Sequence, residues 1–139
     1  MPAKLFVDTN IWLYSLIQGD DPAKQQQAAA FLLASQRPVI SSRVVREICS
    51  NLLRKAACPE SRLRVLIEAW YRDCEVIASS AAQHLLASNL RQRYALSYWD
   101  SLIVAAALDA GCSRLISEDM QHGQIIEGVL TITNPFLPA

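Results

Sequence analysis

Two common metal-binding signatures are missing from this chain. It has only two histidines, His84 and His122, and its four cysteines contain no C-x-x-C pair. Zinc or disulfide chemistry is therefore a poor fit, and Cys49, Cys58, Cys74 and Cys112 are expected to be reduced and mostly buried. A surplus of either charge is missing too, because 13 basic residues cancel 13 acidic ones. That excludes a strongly basic chain that coats nucleic acid indiscriminately. Long apolar runs are also lacking. Residues 76–90 carry no charge but include Ser79, Ser80, Gln83, His84, Ser88 and Asn89, so no bilayer span is expected. Asp8 interrupts the first apolar stretch and no leader-like cleavage site follows a long one, which predicts a cytoplasmic protein. There is no internal repeat, low-complexity linker or visible boundary. At 139 residues and 52% hydrophobic, the chain reads as one domain, 1–139, with a sizeable core.

What is present is alternation. Short apolar runs at 5–7, 38–40, 75–77, 114–117 and 129–132 read as five strands. Helical patterns lie between them. One covers about 10–17, and Pro22 opens the next. Ser41 or Ser42 caps a third that runs to about Lys55, with Val45, Ile48 and Leu52 on one face. Pro59 opens a fourth, and Ser79 or Ser80 starts a fifth that reaches about Arg93. The stretch "SYWD" (97–100) precedes an apolar helix at 102–108, ended by Gly111. Strands that are nearly all apolar, alternating with helices, predict an α/β fold. Its short-stranded, mainly parallel sheet of about five strands would be flanked by helices on both faces.

Sites in open parallel sheets lie at the carboxyl ends of the strands. Asp8 ends the first strand there, and Glu118 and Asp119 follow the fourth. Asp100 opens the helix before that fourth strand, and Glu47 lies in the helix after the second. Clustered carboxylates resist ionisation unless a cation shares the site. A hard divalent ion, Mg²⁺ or Mn²⁺, prefers such oxygen ligands. The matching chemistry is metal-assisted hydrolysis of a phosphodiester. With Asp8, Glu47, Asp100 and Asp119 set aside, nine acids remain against thirteen bases. Arg43, Arg46, Arg54, Lys55, Arg62, Arg64, Arg91 and Arg93 could then form a basic rim suited to a polyanion.

Each acid also has an ordinary reading. Asp8 can cap the helix that follows it, and Ser97-x-x-Asp100 resembles a capping box. Glu47 can be a surface acid paired with Arg43 at i,i+4, and Asp119 a turn residue before Gly123. Capping, however, does not require four acids at one edge of one sheet. Periodicity does not choose between Glu118 and Asp119. His122, in "EDMQHG", reads as structural or RNA-contacting, and His84 as a bystander. Trp70, Tyr71, Tyr98 and Trp99 could stack on bases, although packing is the more ordinary role for each.

The stretches "FVDTNIWLY", "SSRVVREI", "YWDSLIVAAALDAGCSRLISEDMQHG" and "VLTITNPF" resemble the PIN-domain ribonucleases, most closely the VapC toxins of toxin–antitoxin pairs. The resemblance runs in order over nearly the whole chain. It implies that the family's four acids fall on Asp8, Glu47, Asp100 and Asp119, selecting Asp119 over Glu118. It implies Mg²⁺ or Mn²⁺ held by Asp8, Asp100, Asp119 and, as a further ligand, Glu47. It assigns hydrogen-bonding support to Thr9, Asn10 and Ser117. The implied activity is endonucleolytic cleavage of RNA by the toxin of a type II toxin–antitoxin system, with a cognate antitoxin and a homodimer as partners. It further implies that the first strand lies between the second and the fourth.

Two other readings compete. Asp8 as a phosphoryl-accepting nucleophile fits poorly: a dehalogenase-like enzyme would have aspartate where Asn10 stands. A phospho-receiver would need a lysine after a late strand, and the only lysines are Lys4, Lys24 and Lys55. A non-catalytic PIN-fold module that binds RNA or protein is the alternative from another class.

Overall fold

The computed structural model describes residues 3–138. In chain order the elements are β1 (Leu5–Val7), α1 (Thr9–Leu16), α2 (Pro22–Ala34), β2 (Val39–Ser41), α3 (Ser42–Lys55), α4 (Glu60–Asp73), β3 (Glu75–Ile77), α5 (Ala81–Arg93), α6 (Tyr98–Asp109), β4 (Arg114–Ile116), β5 (Ile125–Ile126) and β6 (Leu130–Thr133). Most helix starts are chemically marked. The side chains of Asp8, Asp21, Ser41, Ser80 and Ser97 each accept a first-turn N–H, which satisfies donors that have no partner inside the helix. Helix α6 begins at Tyr98, earlier than its apolar run suggests. Ser97 Oγ accepts the Asp100 N–H at 3.1 Å and so winds "YWD" into the first turn.

The sheet has six strands in the order β3-β2-β1-β4-β6-β5, one more than the five expected. All its pairings are parallel except β5 with β6. The extra strand carries almost no sequence signal, being two residues long with Ile125 57% exposed. It exists because the chain reverses at Glu127 and Gly128, whose φ angles of 56° and 67° are both left-handed. That is the backbone of a type I′ hairpin turn, and it shifts the last parallel strand to Leu130–Thr133 from the expected 129–132. Glu127 is held in this unusual conformation from outside. Its N–H donates to Tyr94 Oη at 2.8 Å and its carboxylate meets Arg93 at 2.7 Å.

The first three strands step outward from β1 in one direction, and the chain then returns to the far side of β1 to lay down β4. Right-handed crossovers therefore put α1–α4 on one face and α5–α6 on the other. The packing agrees: α1 lies against α2 and α3, and α5 lies against α6. The strand order reverses between β1 and β4, as the resemblance implied. At their carboxyl ends such a reversal leaves a crevice. The core is built from the strands, from α6 and from the inward faces of the other helices, such as Ile11, Ile48 and Leu90. Phe6, Val7, Ile40, Leu115, Ile116 and Ile132 are fully buried, as are Val104, Ala105 and Ala107. Among the described residues no helix is long and apolar enough to cross a membrane.

Candidate active site

At the carboxyl edge of the sheet lies a cleft of about 250 Å³. Asp8, Glu47, Asp100 and Asp119 all line it, together with Thr9, Asn10, Leu13, Arg43, Asn51, Trp99 and Ile103. The acids arrive from both layers. Asp8 follows β1, Glu47 rides on α3, Asp100 sits in the first turn of α6, and Asp119 follows β4.

Asp8 is the most constrained. Its backbone N–H extends the β1–β4 ladder by donating to the Ile116 carbonyl at 2.9 Å. One carboxylate oxygen accepts the Thr9 N–H and the other accepts Ser117 Oγ, both at 2.8 Å. It caps α1 and lines the cleft at once. Part of its surface meets the cleft, but protein surrounds the rest. Burial therefore pushes its pKa up to about 6, against the pull of its two hydrogen bonds and with help from the nearby charges of Glu47 and Asp119. Fully buried Ser117 also accepts the Asp119 N–H at 3.3 Å. One hydroxyl thus ties Asp8 to the chain that carries Asp119.

Asn10 Nδ2 donates to Asp119 Oδ2 at 2.8 Å. Arg43 Nε donates to Glu47 Oε1 at 2.6 Å, and Asn51 Nδ2 donates to the Glu47 carbonyl at 2.8 Å. Among the described residues nothing hydrogen-bonds to the Asp100 carboxylate; its N–H is engaged by the Ser97 cap. The support expected from Thr9 comes through its backbone. Its hydroxyl is buried without a partner, as is Asn10 Oδ1.

The neighbours Glu118 and Asp119 are separated by geometry. Glu118 accepts from Tyr14 Oη at 2.6 Å and forms an ion pair with Lys24. Both contacts lower its pKa in opposition to burial, and it does not line the cleft. His122 Nδ1 accepts the Asn134 N–H at 2.9 Å, a structural contact that fixes the chain after β6. Asn51 escaped sequence reading, although its place four residues after Glu47 on one helix face was a usable signal. Tyr14 and Lys24 meet Glu118 across 104 and 94 positions, a distance at which local pattern carries no information.

The PIN-domain family matches residues 5–125 of the chain. The chain belongs to this family. Among solved structures, this PIN domain is similar to a toxin–antitoxin complex from Klebsiella pneumoniae at 22% identity, covering 96% of this chain and 98% of that one, with a TM-score of 0.71. It is similar to VapC20 of Mycobacterium tuberculosis, described as a sarcin–ricin-loop-cleaving toxin, at 21% identity over 81% and 87% of the two chains, TM-score 0.64. A DNA-bound VapBC complex from Salmonella typhimurium matches at 18% identity over 94% and 98%, TM-score 0.65. At these identities the likeness is one of fold. A sequence comparison with curated proteins gives no match.

Among the described residues, no three histidine, cysteine, aspartate or glutamate side chains of the PIN domain are grouped so as to hold a metal ion. The reason is visible in the contacts: Glu47 is turned to Arg43 and Asp119 to Asn10. Mg²⁺, however, commonly binds one or two carboxylates and retains several waters, so a closed cage of three is not a requirement. The donor set is all oxygen. It includes one carboxylate whose charged form burial disfavours, and two residues that line the cleft, Thr9 and Asn10, carry side-chain oxygens buried without a partner. An all-oxygen set of this kind suits a hydrated hard cation.

Proposed function

We propose that this PIN domain is a metal-dependent endoribonuclease, the toxin of a type II toxin–antitoxin pair. The carrying observation is the convergence of Asp8, Glu47, Asp100 and Asp119, from four separate stretches, on one cleft at the sheet's reversal point. Asp8, Asp100 and Asp119 would hold Mg²⁺ or Mn²⁺, with Glu47 available once Arg43 releases it. When bound, the ion supplies activation of a water and positive charge against the attacked phosphate.

The chain's own groups do the positioning. Ser117 and the Thr9 N–H fix both oxygens of Asp8, and Asn10 fixes one oxygen of Asp119. Arg43 lies at the cleft wall, where its guanidinium can pair with a phosphate as it now pairs with Glu47. The exchange of an internal carboxylate for a substrate phosphate keeps that cation neutralised throughout.

The partners follow from the same reading. The structural relatives include toxin–antitoxin complexes, which supports a cognate antitoxin for this chain. Large exposed apolar side chains such as Leu33, Val65 and Leu85, 88%, 65% and 69% exposed, support coverage by an antitoxin or a second copy.

The test is RNA cleavage by purified protein with Mg²⁺ or Mn²⁺, with chelator, and with Asp8→Asn and Asp100→Asn. Cleavage should require the ion and both acids. Equal cleavage by the variants, with contaminating nuclease excluded, would sink the assignment. The engagement of Glu47 and Asp119 by neighbours favours a second reading, a module that binds RNA or protein without turnover. Growth arrest on expression that persists in Asp8→Asn would select it.

A further inference from the structure

A second cleft, of about 270 Å³, adjoins the acidic one, and Arg43, Trp99 and Ile103 line both. Its chemistry is the opposite of its neighbour's. Arg46, His84, Tyr98 and two serines line it, and no acidic side chain does. Trp12 and Trp70 are buried, but Trp99 is 57% and Tyr98 49% exposed. Their rings stand edge to face, centroids 4.9 Å apart. Cations border both: Arg43 Cζ lies 3.9 Å from the Trp99 centroid and Arg91 Cζ 5.0 Å from that of Tyr98. Arg46 is exposed and forms no ion pair among the described residues. The volume falls just under the ~300 Å³ at which small-molecule pockets begin, and it has room for one flat ring system.

Resting on the ribonuclease reading, we infer that this cleft is the subsite for one unpaired nucleobase of the RNA, next to the phosphate presented to the acids. Aromatic rings at a basic border are how proteins hold single-stranded bases, because every base has a face to stack while a duplex hides it. Arg43 stands between the clefts and meets the phosphate that joins the two nucleotides. Arg46 meets the next phosphate. Tyr98 and Trp99 immediately precede Asp100 in the first turn of α6, so a base seated on them fixes the RNA's register against that acid. The enzyme accordingly selects unpaired segments.

Binding can be measured without turnover, using the full chain in chelator. The probes are fluorescein-labelled hexauridylate and hexaadenylate, and a blunt RNA duplex of the same length, followed by polarisation. At least one single strand should bind more tightly than the duplex. Trp99→Ala should weaken that binding roughly tenfold or more, Trp99→Phe should largely retain it, and Arg46→Ala should reduce its salt dependence. Circular dichroism and sedimentation of each variant provide the controls for fold and assembly. Equal affinity for duplex and single strand, or an unchanged affinity in Trp99→Ala, overturns the inference. So does a change of oligomeric state in Trp99→Ala, which would make the cleft a chain–chain interface. If wild type cuts no RNA yet loses single-strand binding with Trp99, the ribonuclease reading fails and the base site stands. If cutting is intact and Trp99 does not matter, the reverse holds.

Discussion

Ser117 joins two of the acids through a single oxygen, donating to Asp8 while accepting from the Asp119 amide. This gives Asp8→Asn a specific meaning. In the variant Ser117 can turn and accept from the new amide, so the fold should survive. Loss of a metal-ligand carboxylate should cost several kcal/mol of transition-state stabilisation, each ~1.4 kcal/mol being tenfold in rate. The loss of a helix cap costs only about 1 kcal/mol of stability. Melting at or above the wild-type temperature at neutral pH, with cleavage reduced by orders of magnitude, is therefore expected. The same residue sets a pH dependence. Its folded pKa of about 6 lies above the ordinary 3.8, so the folded state binds the proton more tightly than the unfolded chain. In chelator, the contribution of Asp8 to stability should be full below about pH 4 and be lost as pH rises through about 6, on the order of 3 kcal/mol over the whole range. Urea titrations at pH 4.5 and 7.5 measure it. Asp8→Asn should lack this slope, and Mg²⁺ should raise the wild-type melting temperature more at pH 7.5 than at pH 4.5. Thiols give an independent check on the core. Burial pushes Cys74 and Cys112 up to about 11, while Cys49 and Cys58 are only partly covered. A native thiol titration at pH 8 should count two fast-reacting groups at most, and four after unfolding.

Elements were legible where the signal was local. The buried strands announced themselves as apolar runs, and Ser41, Ser80 and Ser97 announced helix starts. β5 did not, because two residues, one of them exposed, make no pattern. It is defined by a turn, and the turn by Tyr94 and Arg93 from another element. The site divides in the same way. Two acids just after strands, Asp8 and Asp119, and two on helices, Glu47 and Asp100, could be read from the order of segments. Periodicity could not choose between Glu118 and Asp119; in the structure Asp119 lines the cleft, while Tyr14 and Lys24 engage Glu118 outside it. The support expected of Thr9 comes from its backbone N–H, which any residue at that position could supply. The turn carries its own prediction. Gly128 has a φ of 67° with open space around it, so Gly128→Ala is strained by conformation alone, at about 1 kcal/mol. Denaturant unfolding should show that loss, and cleavage by the folded variant should match wild type, because the hairpin lies at the sheet edge beyond β6.

At the scale of the molecule, two acids come from the sheet and one from each helical layer, and they meet only when the sheet is complete. An antitoxin that occupies the cleft would therefore block every acid at once. Co-expression with the product of an adjacent antitoxin gene should relieve growth arrest, and an Asp8→Asn chain should need no relief. Arrest by the variant would point to the binding reading. The sheet itself is joined unevenly. β1 is paired with β4 at three positions in register but with β2 at one. Asp8 and Asp119 therefore travel together on the firmer seam, while Glu47 belongs to the half attached by the weaker one. In hydrogen exchange, the amides of β4 should outlast those of β2, with the Asp8 amide protected by its bond to Ile116. The slow breathing of this protein should then run along one line, β1 against β2, with Glu47 as the acid whose distance from the others varies with time.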